Sequence, residues 1–129
     1  MIVVNDLCKS FKRKEALHSV NLRLDNQVYG LLGANGAGKT TLIRCMAGLY
    51  EPQQGQILYN DEPISKSRSF RRSLGYLPQA FGMFQELTLY EMMDYICSLK
   101  GIPESICPGE IVKALTYVNL EDRAKDRVK

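Results

Sequence analysis

Residues 33–41 read Gly33-Ala34-Asn35-Gly36-Ala37-Gly38-Lys39-Thr40-Thr41 and match the phosphate-loop pattern G-x-x-x-x-G-K-[ST] at every fixed position. The chemistry open to such a run is anion binding. Its glycines, Gly33, Gly36 and Gly38, let successive backbone N–H groups turn toward one point and leave phosphate oxygens room to approach. A helix beginning near Lys39 would add the positive end of its dipole. Lys39 brings a full charge within reach of the β and γ phosphates of a nucleotide. Thr40 offers a hydroxyl to Mg²⁺, which prefers oxygen ligands shared with phosphate. The competing reading, a glycine-rich turn with a surface lysine, needs no particular neighbours. The phosphate-binding reading needs a strand before the loop and a helix after it.

Both neighbours are expected from the sequence. Val28-Tyr29-Gly30-Leu31-Leu32 is an apolar run suited to a strand buried on both faces, as in a parallel sheet. After the loop, Leu42, Ile43, Met46 and Leu49 recur at helical spacing, with Gly48 and Pro52 bracketing the end. Upstream, IVVNDLCKSF and LHSVNLRL read as strands joined by a charged turn, Lys12-Arg13-Lys14-Glu15. The Asp6 strand is expected at an edge. Downstream, residues 56–59 read as a strand, Asn60-Asp61 as a turn, 65–73 as a short polar helix and 74–77 as a strand halted by Pro78. Thr88-Leu89-Tyr90-Glu91 is a capping box opening a helix through Lys100, with Leu89, Met92, Met93, Ile96 and Leu99 on its apolar side and Gly101 as its cap. Pro108 suits the first turn of a helix to about Val118, and residues 119–129 read as a charged helical tail.

Binding is not hydrolysis. A phosphate-loop hydrolase also needs a carboxylate for the metal, commonly an Asp ending an apolar strand, and a group to orient the attacking water. No four apolar residues followed by Asp or Glu occur after the loop, and Asn119 breaks the nearest approach, at Val118 to Asp122. The binding half of a site is legible and the catalytic half is not. No N-K-x-D stretch is present, which argues against a GTPase.

Length and composition bound the remaining choices. The 129 residues, 45% hydrophobic and 24% charged, suit one ordinary globular domain or less. A net charge of +3 permits contact with phosphates but does not argue for a nucleic-acid partner, which would call for a clustered basic face, and none is expected as partner; Arg68, Arg71 and Arg72 are expected on a solvated helix face. The four cysteines, Cys8, Cys45, Cys97 and Cys107, show no C-x-x-C pair and the lone histidine is His18, so a zinc site is not expected. Cys45 and Cys97 fall in apolar patterns as buried free thiols, which suits a cytosolic compartment. No window approaches the apolar length of a membrane span, so a membrane link would run through a partner.

Taken in order along nearly the whole chain, GANGAGKTTL, IRCMAGLYEPQQGQILYND and LGYLPQAFGMFQELTLYEMMDYICSLKGI resemble the ATP-binding subunit of an ABC transporter. The last stretch is closest in flavour to ATPases of drug, antibiotic or other small-solute exporters. The resemblance implies an α/β fold of the P-loop NTPase type: a mixed sheet with N-terminal antiparallel strands, the phosphate loop and its helix. It implies an ATP-binding core over 1–87, then the start of a helical subdomain over 88–129, within which the chain would be truncated. It implies ATP and Mg²⁺ as cofactors. Gln79 aligns with the glutamine that approaches Mg²⁺ and the attacking water, in a loop where a membrane-spanning subunit docks. Phe11 aligns with the aromatic that stacks on adenine; from its own chemistry it equally reads as a core residue at a strand end. The family's signature, its Asp-ending strand, the catalytic Glu and the later His have no counterpart in these residues, and His18 precedes the loop. A second ATP-binding subunit would complete the site. The resemblance implies energy coupling in an exporter, cytoplasmic and bound to the membrane through its partner. The alternatives are a soluble ABC-type ATPase acting on ribosomes or DNA, and a nucleotide-binding fragment without catalysis of its own.

Overall fold

The computed structural model describes every residue except Arg13, Ala80, Phe81, Met83 and Lys129. The chain divides into two compact units, Met1–Tyr76 and Leu77–Lys129. Gln79 falls with the second unit.

In the first unit, the strands Ile2–Phe11 (β1) and Lys14–Leu24 (β2) form an antiparallel hairpin. The helix Lys39–Met46 (α1) follows the phosphate loop. Gln54–Tyr59 (β3), Glu62–Pro63 (β4) and the short helix Arg68–Ser73 (α2) complete the unit. The sheet order is β2-β1-β3-β4, every pairing antiparallel. The turn at Asn60 and Asp61 has both residues at positive φ, 48° and 65°, as a tight hairpin demands.

β1 is therefore an interior strand of the sheet, not the edge expected of it, and this changes the reading of Asp6. The residue sits at φ 46° at a register shift. Its Oδ1 accepts from the Ser19 hydroxyl and the Asn21 amide, both at 2.9 Å, while Asn21 Oδ1 accepts the Asp6 N–H. Hydrogen bonds from Asn21 and then Ser19 hold its carboxyl below the usual aspartate range. The carboxylate is committed to fastening a bulge. On the other side of that bulge, Gly55 of β3 packs against β1, and a Cβ built on it would stand 2.3 Å from the Asn5 carbonyl oxygen.

The core of this unit joins one face of the sheet to α1: Val4, Leu7, Leu17 and Ile57 meet Leu42 and Cys45, with Met46 and Tyr50 packed around them. Leu42, Cys45 and Met46 lie at helical spacing on one side of α1. Ile43 and Leu49, which the apolar pattern assigned to the same stripe, are exposed. Each fully buried aliphatic side chain contributes roughly 2 kcal/mol, so Leu7 and Leu42 do more to hold α1 on the sheet than the helix's own propensity over eight residues.

Two expected strands are not formed. Among the described residues, 28–32 and 75–77 form no ladder, and each run leaves an apolar side chain open: Leu32 is 93% exposed and Leu77 81%. A strand is a property of a pair. A two-face-buried strand needs neighbours on both sides, and none of β1–β4 pairs with either run. The apolar sequence was read correctly, but the hydrogen-bonding that would make it a strand is not supplied by the described residues.

The second unit is helical. Leu89–Lys100 (α3) opens with the expected capping box: the Thr88 Oγ1 accepts the Glu91 N–H and the Glu91 carboxylate accepts the Thr88 N–H at 2.7 Å. Those bonds keep the Glu91 carboxyl below its ordinary range. Gly101, at φ 67°, ends the helix as a left-handed cap. Cys107–Tyr117 (α4) carries Pro108 in its first turn. The core here is Cys97, Cys107, Ile111 and Leu115, with Leu89 and Met93 beside it. Leu99, expected on the apolar side of α3, is exposed. The Cys107 thiol is pushed up to about 12 by its hydrogen bond with Cys97, by burial and by Asp94, and so stays protonated.

The charged tail is not a helix. It makes one short 3₁₀ turn, Glu121–Arg123, and then folds back on α3. The first N–H groups of α3 have no partner within the helix; the Asp126 and Ala124 carbonyls accept those of Leu89 and Tyr90 at 2.8 and 2.9 Å. The tail's backbone is used to cap a neighbouring helix, a tertiary demand that outweighs its local helical propensity.

Candidate phosphate-binding site

The loop between residue 32 and α1 is wound by its glycines. The Ala37 N–H closes a turn onto the Ala34 carbonyl at 3.2 Å, with Gly36 at φ 82° inside it. Gly38, at φ 90°, is the residue from which α1 starts. A Cβ on Gly38 would stand 2.3 Å from the Ala16 carbonyl oxygen and 3.1 Å from Leu17 Cδ2. The fixed glycine of the motif is thus required twice, for its left-handed backbone and for the close approach of the loop to β2.

Beyond the Gly38 turn, α1 begins without a side-chain cap and without an acidic residue in its first turn. Among the described residues, no acceptor takes the N–H groups of Gly36, Gly38, Lys39 or Thr40. These open donors lie along the loop and the positive end of α1, the arrangement that suits an anion. Lys39 Nζ folds back along the loop and donates to the Gly33 and Ala34 carbonyls at 2.5 and 2.7 Å. Ala34 therefore accepts both the turn-closing N–H and the ammonium. Asn35 and Thr40 are exposed, and Thr41 is half-buried. The described residues include no cluster of three His, Cys, Asp or Glu side chains able to hold a metal ion. A divalent cation here would depend on oxygens such as the Thr40 hydroxyl together with those of a bound phosphate.

Phe11 ends β1 and is 41% exposed, so it is not the core phenylalanine of its plain reading. Its ring meets Tyr50 edge-on at 5.3 Å, and Lys9 Nζ lies 5.4 Å from its centroid. Tyr50 is fixed by Arg44, whose Nη1 donates to the phenol oxygen at 2.8 Å. Phe11 pairs across the hairpin with Lys14, whose ammonium reaches Gly36 of the loop. The hairpin end carrying Phe11 therefore adjoins the phosphate loop. In the sequence Lys14 belongs to the charged turn Lys12 to Glu15, and no spacing singles it out. Gln79 is exposed and lies in the second unit. Of the apolar residues near it, Phe81 lies outside the described residues, and Phe84 packs edge-on against Tyr95 of α3 at 5.6 Å.

A family model described as "ABC transporter" matches residues 17–129, a span that includes the loop and both helices of the second unit. The chain belongs to the ABC transporter family. Its curated relatives include the uncharacterized ABC transporter ATP-binding protein YxlF of Bacillus subtilis (strain 168), 33% identical over 99% of this chain and 42% of the relative. They also include the sulfate/thiosulfate import ATP-binding protein CysA of Synechocystis, 31% identical over 93% of this chain and 34% of the relative. Among solved structures, one described as the ATP binding subunit of an ABC transporter superposes with a TM-score of 0.84 at 29% identity, over 98% of this chain and 53% of the other. The fold is that of an ABC nucleotide-binding domain, mixed α/β with an antiparallel sheet. The chain spans less than half the length of the two curated relatives. An exporter is not singled out among ABC transporters, since CysA is an importer by name.

Proposed function

We propose that this chain binds ATP with Mg²⁺ as the nucleotide-binding part of an ABC-type transport ATPase. The observation that carries the reading is the loop itself: open N–H donors at the start of α1, the left-handed Gly38 held against β2, and Lys39 lying along the loop. In this reading Gly33, Asn35, Gly36, Ala37, Gly38 and Thr41 cradle the phosphates with their backbone. Lys39 leaves its two carbonyls for phosphate oxygens, and Thr40 gives its hydroxyl to Mg²⁺. Mg²⁺, when bound, would neutralise part of the charge on the phosphate oxygens. Phe11, exposed on the adjoining hairpin end, stacks on the adenine. Gln79 serves the metal and the attacking water, as its alignment implies, and its loop meets a membrane-spanning subunit at the cytoplasmic face. A second ATP-binding subunit supplies the facing surface. The two domains of this reading are the nucleotide-binding core, 1–87, and the start of a helical subdomain, 88–129.

The narrower assignment, export of a small solute or drug, rests on residues 74–102. The membrane subunit chooses the transported substrate, so co-purification of that subunit tests the assignment. The test of the main reading is a paired measurement of MgATP binding and turnover by the 129-residue chain. Saturable binding without multiple turnover is expected, because no Asp-ending strand follows the loop in these residues. Turnover that disappears in Lys39→Ala would overturn the assignment of the binding half alone.

A further inference from the structure

A second ammonium group stands at the phosphate loop. Lys14 begins β2, a different element from the loop, and its Nζ lies 3.7 Å from the position a Cβ would take on Gly36. Gly36 sits within the turn that the Ala37 N–H closes onto Ala34, and the Ala34 carbonyl also accepts from Lys39 Nζ. Two lysines from separate elements therefore converge on one turn. Among the described residues neither forms an ion pair, and the nearby Glu15 is engaged with His18 at 2.9 Å. Positive charge from two elements at one turn makes that turn attractive to an anion. Lys39 is held by the loop's own carbonyls. Lys14 reaches across from the hairpin, on the side where Gly36 presents only hydrogen. The glycine keeps the space between that ammonium and the loop free.

We propose that Lys14 is a second phosphate-binding residue, whose ammonium contacts the polyphosphate chain of the nucleotide over Gly36, beside the contact made by the loop's own lysine. The inference rests on the phosphate-loop reading above and adds a residue outside the motif. Its contribution is electrostatic, so it falls with ionic strength. It concerns the phosphate chain, so it needs no base.

The experiment uses the full chain, with MgATP and inorganic tripolyphosphate as separate probes, at low and at high salt. Lys14→Met keeps the aliphatic stem and removes the charge; Lys66→Met, an exposed lysine of the same unit, removes an equal charge elsewhere. For Lys14→Met, the affinity for both probes should fall about fivefold at low salt, as an exposed charge contact allows, and the loss should shrink at high salt. Lys14→Arg should recover most of the affinity, and Lys66→Met should match the wild type. Equal affinity of Lys14→Met and wild type for tripolyphosphate at low salt would overturn the proposal, as would an equal loss in Lys66→Met. Lys39→Ala separates the two readings. If it abolishes binding while Lys14→Met changes nothing, only the Lys14 inference fails. If Lys39→Ala leaves ATP binding intact, the phosphate-loop reading fails with it.

Discussion

Replacing Lys39 with Ala should weaken MgATP binding by roughly ten- to a hundredfold, the range expected when a charge-assisted contact to phosphate is lost. The fold should persist. Among the described residues Lys39 Nζ bonds to the Gly33 and Ala34 carbonyls alone, in an exposed loop where water can replace it. Its removal should therefore change the unfolding free energy by less than about 1 kcal/mol. The two effects separate binding from stability: calorimetric titration reads the first and urea denaturation followed by far-ultraviolet circular dichroism reads the second. Arginine is no substitute, because its planar fork does not fit a position that calls for a compact point charge within the loop. An unchanged affinity in Lys39→Ala would mean that ATP, if bound, is held elsewhere.

Gly55→Ala should produce the largest loss of stability of any single methyl addition to the first unit. A Cβ there meets the Asn5 and Asp6 carbonyl oxygens at 2.3 and 2.4 Å, and the backbone sits at φ 80°. The left-handed conformation alone costs an L-residue roughly 1–2 kcal/mol. The clash adds to it, because both oxygens belong to the interior strand of the sheet and cannot move without opening the β1–β3 ladder. A total near 3 kcal/mol or more is a large part of the 5–15 kcal/mol that holds a typical domain. Gly48→Ala provides the comparison. Gly48 has a similar φ of 72° with nothing within 4 Å of its Cβ position, so it reports the backbone contribution alone. Equal midpoints in urea for the two variants would contradict the close packing of β3 on the Asp6 bulge.

What could be read from the sequence was local. The Thr88–Glu91 box, the Gly101 cap, Pro108 in the first turn of α4 and the glycines before α1 each depend on residues within a few positions of one another, and each takes its expected place. What could not be read depends on partners far along the chain. Residues 28–32 have the composition of a buried strand but find no pairing strand among the described residues. β1 lies between β2 and β3, a placement fixed by the return of residues 54–59, and this turns Asp6 from a residue of an expected edge strand into the anchor of a bulge. The tail gives up helix to supply carbonyls to α3. In the candidate site the same division holds. Gly33 to Thr41 were legible as a motif. The approach of Ala16 to Gly38 and of Lys14 to Gly36 brings residues of β2 to the loop, and no spacing rule reports such a contact.

The central claim is that this loop recognises the phosphate chain of a nucleotide. Calorimetric titration of the wild-type chain with ATP, ADP and AMP in the presence of Mg²⁺ tests it most directly. ATP and ADP should bind, and AMP, which lacks the β phosphate that Lys39 and the open N–H groups would hold, should bind at least tenfold more weakly. Equal affinity for AMP and ATP would contradict the claim, because the chain would then be reading the adenosine and not the phosphates.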